Sequence, residues 1–167
     1  MIEVLRQQYD WIKSARDNLF AFLEQIPPPL LHQKLPAFGQ GSILRTHIHV
    51  ADSYRLWLGS FAFRRPPHEH RDTTGEEIER ADVHSVRKLY AEVDDTVQRF
   101  LDNCGDHWLE PIVHPVAWQD DPHTASPLLL FTHTITHECH HKGQIVSMAR
   151  QLGYPPPADD RLGGLSQ

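Results

Sequence analysis

Residues 132–145 read THTITHECHHKGQI, and the run from His137 to His141 within them satisfies the H-E-x-x-H pattern of a zinc-protease helix. On a helix, His137 and His141 lie one turn apart on the same side, with Cβ atoms about 6 Å apart, which suits two imidazoles on one zinc-sized ion. Two ligands do not make a site. A zinc protease takes its third ligand downstream, either a His following a Gly at set spacing or an acid on a later helix. Here Gln144 and Ser147 occupy the places where that Gly and His would fall. No Glu follows Glu138, which leaves only Asp159 and Asp160 in a Pro-rich tail. The spacing argues against the protease reading and sends the search for a third ligand upstream.

The segment around this motif reads as a helix, and so do three others. Ser126 as cap and Pro127 at the first helical position open a helix that runs to Leu152 and ends at Gly153, with Pro155 to Pro157 beyond. From about Ile2 to Gln25, Leu5, Tyr9, Ile12, Leu19 and Leu23 recur at three- and four-residue steps, and Pro27 to Pro29 stop the run. Ser42 caps a second helix to about Phe63, with Ile43, His47, Val50, Tyr54, Trp57 and Phe61 on one face. A third runs from Val83 to Cys104 on a stripe of Val86, Leu89, Tyr90, Val93, Val97 and Phe100, closed by Gly105. Between the second and third helices lies a long polar connection, residues 66–82, with one helical turn at Gly75 to Arg80; long connections in compact domains often border a site. The stretch WLEPIVHPVAW, residues 108–118, alternates around two prolines and predicts a short edge hairpin. Four amphipathic helices with one longer middle crossing predict an all-α, antiparallel or near-antiparallel four-helix bundle, a fold that places metal sites between facing helices.

Composition bounds the function. The chain of 167 residues fits one domain, 1–167, and 40% apolar with 23% charged residues describe a globular protein without repeats or low-complexity runs. A formal charge of −6 and the lack of a dense Lys/Arg cluster argue against a nucleic-acid partner. No apolar stretch approaches the roughly 18 residues of a membrane span, and the start has no signal-peptide pattern, so the cytoplasm is the expected compartment. Two cysteines, Cys104 and Cys139, do not make a disulfide framework, and both are expected as reduced, mostly buried thiols. Thirteen histidines stand out, four of them within nine residues at His133, His137, His140 and His141. His32, His68, His70, His84, His107, His114 and His123 read as surface or loop residues.

In a bundle the second helix lies beside the fourth, and it offers His47 and His49. Periodicity favours His47, which falls mid-stripe, whereas His49 sits on the more polar flank with Asp52, Ser53 and Leu56. The helical wheel leaves both open, each with the further reading of a histidine satisfied by a hydrogen bond.

The segments SILRTHIHVADSYRLWL (residues 42–58) and THECHHKGQI (136–145), followed by QLGYPPPADD (151–160), resemble the DinB/YfiT-like metal-binding four-helix bundles over nearly the whole chain. The more specific part is the fourth-helix HxxxH followed by a basic residue, then Gly-Gln and an aliphatic. The resemblance implies one ligand on the second helix, followed by aliphatic-Ala-Asp, together with the HxxxH pair. Carried over, the ligands are His49, His137 and His141, with His47 as the fallback, and Glu138 belongs to a local THE-x-HH pattern instead of serving as a protease base. It also implies frequent homodimers; Trp57, Phe61 and Phe63 read equally as interface or core.

Three neutral imidazoles on a divalent ion leave an open coordination place, as catalytic sites do. Zinc and nickel are the expected ions, with iron and copper suited to the same donors. Such a centre activates a water or a low-molecular-weight thiol. The resemblance favours the thiol as cosubstrate of a transferase or related stress or detoxification enzyme acting on a small molecule. A non-catalytic metal-containing binding or regulatory protein and a metal-dependent hydrolase are the alternatives. His140 and Gln144 read as exposed polar positions or as partners that orient a ligand or its bound water through hydrogen bonds; Asp52 is expected to brace a ligand or to sit in solvent, His133 to neighbour the site, and Glu138 to pair with a basic side chain.

Overall fold

The computed structural model describes residues 2–156; the irregular tail expected from Ala158 onward, with Asp159 and Asp160, lies outside them. Helix α1 spans Ile2–Leu23, a single turn α2 spans Pro28–Leu31, and α3 runs Ile43–Tyr54 before continuing as a π-helical segment, Arg55–Phe61. A 3₁₀ turn at Pro67–Glu69 and a short α4, Gly75–Arg80, lead to α5, Val83–Cys104. Strands β1, Ile112–His114, and β2, His123–Ala125, pair antiparallel, and α6, Pro127–Gln151, ends the described chain. The architecture is an all-α bundle of four long helices. Among the described residues no helix is long and apolar enough to cross a membrane.

Local chemistry sets these boundaries. The Ser42 hydroxyl accepts from the Arg45 amide, and Ser126 accepts from Leu129 ahead of Pro127 at the first helical turn. Thr74 with Glu77, and Asp82 with Ser85, form reciprocal capping boxes that start α4 and α5. The hairpin is present, but its second strand begins at His123, past the stretch whose alternation suggested it. Trp118 is thereby left in the connection between the strands.

Long-range contacts give the helix directions. Tyr9 and Arg16 of α1 both meet Asp94, and Arg87 of α5 meets Asp17 and Glu24, so these two helices run antiparallel. Tyr90 stacks by His47, and Gly59 further along α3's extension abuts Thr96, so α3 and α5 run parallel. This corrects the all-antiparallel expectation. Parallel neighbours cannot be joined by a tight turn, and the long connection 66–82 exists because the chain must return the length of the bundle before α5 can begin. Asp52 fastens that crossing: one carboxylate oxygen accepts from the Thr73 amide at 3.0 Å and the other from its hydroxyl at 2.9 Å, with Arg55 at 2.9 Å beside them. Asp52 braces the connection, where the residues had suggested bracing of a ligand or a place in solvent. Gly59 matters to packing, because a Cβ there would stand 3.2 Å from the Thr96 methyl.

Phe20, Tyr54, Phe61, Tyr90, Phe100 and Phe131 are fully buried between the helices, each contributing roughly 1.5–3 kcal/mol from removal of apolar surface from water. Within this core lies one charged assembly. Arg16, on the apolar stripe of α1, donates from Nε to Glu138 Oε1 at 2.7 Å and from Nη2 to Oε2 at 3.0 Å. Its Nη1 reaches Asp94 at 2.7 Å, and its guanidinium lies 4.3 Å from the Tyr90 ring centroid. The Tyr54 hydroxyl donates to Glu138 at 2.7 Å, and Tyr9 donates to Asp94 at 2.7 Å. Because every oxygen of Glu138 is matched, the cost of burying it is offset by charge-assisted hydrogen bonds. Cys104 is buried; Cys139 is exposed, against expectation, and neither forms a disulfide.

Candidate metal centre

Helices α3 and α6 lie side by side and antiparallel, which brings the middle of one against the middle of the other. Three imidazoles meet at that crossing. The ring centroids of His49 stand 5.0 Å from those of His137 and His141, and His137 and His141 are 4.4 Å apart. One ring nitrogen from each lies within 4.8 Å of the others, so His49, His137 and His141 form a group that could hold a metal ion. His49 and His137 are half-buried and His141 is 8% exposed, which sets the group at the rim of the groove between the helices.

Its hydrogen bonds fit an ion. The Nδ1 of His141 donates to Gln144 Oε1 at 2.8 Å, so its Nε2 carries the lone pair. That Nε2 faces the His137 Nε2 at 3.1 Å. Two nitrogens on one tetrahedral ion with bonds of about 2.0–2.1 Å stand about 3.3 Å apart, close to the separation seen here. Gln144 in turn donates to His140 Nε2 at 3.1 Å, so Gln144 and His140 form a hydrogen-bonded chain behind His141, a candidate ligand. Substituting Gln144 by Leu is expected to weaken divalent-metal affinity roughly 10–100-fold through loss of that orientation. Competition against a chelating indicator measures this, and an unchanged affinity would show that Gln144 orients nothing.

All three imidazoles are biased toward the neutral form a ligand needs. Burial, aided by the neighbouring imidazoles, lowers the pKa of His137 to about 3. Burial also lowers His49, against the opposing pull of Asp52 and Asp72, and lowers His141, against the hydrogen bond it donates to Gln144.

His47 belongs to a different environment. It is 2% exposed, its ring 4.7 Å from Phe20 and 4.8 Å from Tyr90, inside the bundle and away from the triad. Periodicity favoured His47 as the third ligand, but the mid-stripe position that suggested it packs the ring into the core, outside the three-donor group. Burial, with the Arg16 charge adding, lowers its pKa from 6.5 to about 3. The unfolded chain therefore binds a proton that the native His47 refuses, and its contribution to stability is lost as pH falls from 6.5 toward 3. Chemical denaturation across that window should show His47→Phe less acid-sensitive than wild type, by at most about 1.4 kcal/mol per pH unit. Parallel pH profiles would contradict the assignment.

Other histidines fall as follows. His133 lies one turn before His137, 5.5 Å between centroids, outside the three-donor group. His32 bonds the Ala81 carbonyl, His114 the Arg65 carbonyl and His70 the Asp72 carboxylate, so several loop histidines tie segments together. Glu138 points into the core onto Arg16, which removes it from any role as base at the triad. Sequence reasoning missed Arg16, although a lone Arg between Ile12 and Leu19 on an apolar stripe was the available sign.

The DinB family model matches residues 1–166, and the three-histidine group with its Gln partner lies within that span. The chain belongs to the DinB family. No curated protein matches it. Within this DinB fold the groove continues on the His49 side into a recess of about 290 Å³ lined by Gln40, Arg45, Asp52, Ser53, Asp72 and Thr73 among others. Residues 72 and 73 come from the long connection that Asp52 holds in place.

Proposed function

We propose that His49, His137 and His141 hold a divalent ion, zinc or nickel before iron or copper, and that this DinB protein is a metal-dependent thiol transferase. The observation that carries the reading is the donor set: three imidazole nitrogens converge at a groove rim, and Glu138, the nearest carboxylate in sequence, is bound to Arg16 instead. An ion so held supplies Lewis acidity at an open place, lowering the pKa of a thiol presented there. The residues do the rest. Gln144 fixes the His141 tautomer, and half-burial keeps the imidazoles neutral for binding. The recess beside His49 offers the Arg45 guanidinium, the Gln40 amide and the Ser53 and Thr73 hydroxyls to the polar body of a low-molecular-weight thiol. Occupation of Glu138 by Arg16 disfavours a hydrolase that would need this carboxylate as general base. The small-molecule substrate, a homodimer, a single domain over 1–167 and a cytoplasmic setting belong to the same proposal.

The test is turnover of an electrophile with several thiols and added divalent ion. Wild type is expected to exceed the uncatalysed rate and His137→Ala to match it. A rate at background with every thiol sinks the transferase and leaves a metal-containing binding protein.

A further inference from the structure

The groove has a second end. Past His137 toward the start of α6 stands His133, and across from it the π-helical segment presents Trp57, two turns beyond His49. Their ring centroids are 5.9 Å apart and nearly perpendicular. The hairpin closes this end. Trp118, from the connection between the strands, sets its ring 5.7 Å from Trp57 at 77°, and His123 of β2 lies 5.4 Å from Trp57. The rings form one contiguous surface, Trp118 and His123 to Trp57, Trp57 to His133, and His133 to the candidate ligand His137.

Core packing explains Trp57 and His123, whose rings rest on the buried Phe61 at 5.4 and 5.7 Å, but not the other two rings. Trp118 is 56% exposed and His133 is also exposed, so the large ring area they hold near the metal centre faces water. The ring nitrogens of His123 and His133 make no hydrogen bond among the described residues, so each has a donor to offer a ligand. A π-helical segment is uncommon and recurs at functional sites, and this one carries the residue at the middle of the wall.

We infer that Trp57, Trp118, His123 and His133 form the electrophile subsite, and that it takes a planar, conjugated carbonyl compound such as a quinone or enone. This rests on the transferase reading for its reaction but not for its binding. A flat ring lies against one indole and meets the edge of the other, since perpendicular rings make a corner, while an imidazole N–H donates to the carbonyl oxygen. With the thiol at the opposite end of the groove, the sulfur forms a bond to the β-carbon of the conjugated system. The carbon–carbon π pair shifts onto the carbonyl oxygen, and that oxygen takes the proton the thiol gave up, so the addition needs no oxidant or reductant.

Equilibrium dialysis with duroquinone tests the subsite without turnover, because its fully methylated ring resists thiol addition. Saturable binding is expected for wild type and also for His49→Ala, since the wall does not depend on the ion. Trp118→Ala, at an exposed loop position, should weaken binding about two- to twelvefold, the range of one aromatic pair, and Trp118→Phe should restore most of it. Cyclohexanone, an aliphatic ring of similar size, should not be retained. Equal affinity in wild type and Trp118→Ala, or equal retention of cyclohexanone, overturns the proposal. Saturable duroquinone binding with no thiol turnover supports the wall and sinks the transferase reading alone.

Discussion

Replacing Glu138 by Ala is expected to remove about 3–5 kcal/mol of folding stability, a large share of the roughly 5–15 kcal/mol that holds a domain of this kind together. The reason is the partner left behind. Arg16 is 4% exposed and its Nε and Nη2 both donate to Glu138, so the variant keeps a buried cation whose main counter-charge is gone. Tyr54 loses its acceptor in the same step. Asp94 stays 2.7 Å from Arg16 and limits the damage, but it is itself partly exposed. Removing both charges together, as Arg16→Met with Glu138→Met, should recover much of the loss, because apolar side chains then fill the space and no charge is stranded. Urea denaturation of wild type, Glu138→Ala, the two single Met variants and the double Met variant measures this. Near-additive losses in the double variant would mean that the pair is not the coupled unit described here. Glu138 also lies between His137 and the next turn of α6, so its bonds to α1 and α3 fix how that helix is rotated. Metal affinity should therefore fall in Glu138→Ala along with stability.

A second large effect is expected at the ligands. His137→Ala should lower divalent-metal affinity by more than the roughly 10–100-fold that loss of an outer partner costs, because a coordinate bond goes with it. The geometry makes the loss hard to repair. His133 sits one turn away at 5.5 Å between ring centroids and belongs to the aromatic wall, and His140 beside His141 is engaged by Gln144. The stabilisation that a saturating ion confers should disappear with it. At a free ion concentration about 100 times the dissociation constant, wild type gains about 2.7 kcal/mol, and the variant at the same concentration should gain little. Thermal unfolding with and without added ion reads this directly, and equal shifts in both proteins would place the ion elsewhere.

Much of this was legible in the residues. The four long helices follow from period and caps, and α5 and the short α4 lie where the stripe and the turn placed them, their starts fixed by the Asp82–Ser85 and Thr74–Glu77 capping boxes. What the residues did not reveal depends on how helices meet. The parallel course of α3 and α5 is a property of two stripes packed together, and the only trace in the chain is the length of the connection it requires. The change from α to π winding at Arg55 has no Pro or cap to mark it. The candidate site divides the same way. Spacing alone identified the His137/His141 pair, whereas a wheel favoured His47 over His49. That preference fails because the middle of the stripe faces the core, whereas the three-donor group lies on the flank of the stripe, where His49 is. The resemblance to DinB proteins supplied what periodicity lacked. The aromatic wall was invisible because it joins a helix, a π-helical segment and a hairpin connection.

The central claim is that His49, and not His47, completes the centre. Elemental analysis of dialysed wild type, His49→Ala and His47→Phe tests it. The account predicts about one divalent ion per chain in wild type and in His47→Phe, and close to none in His49→Ala. An ion retained by His49→Ala and lost from His47→Phe would contradict it.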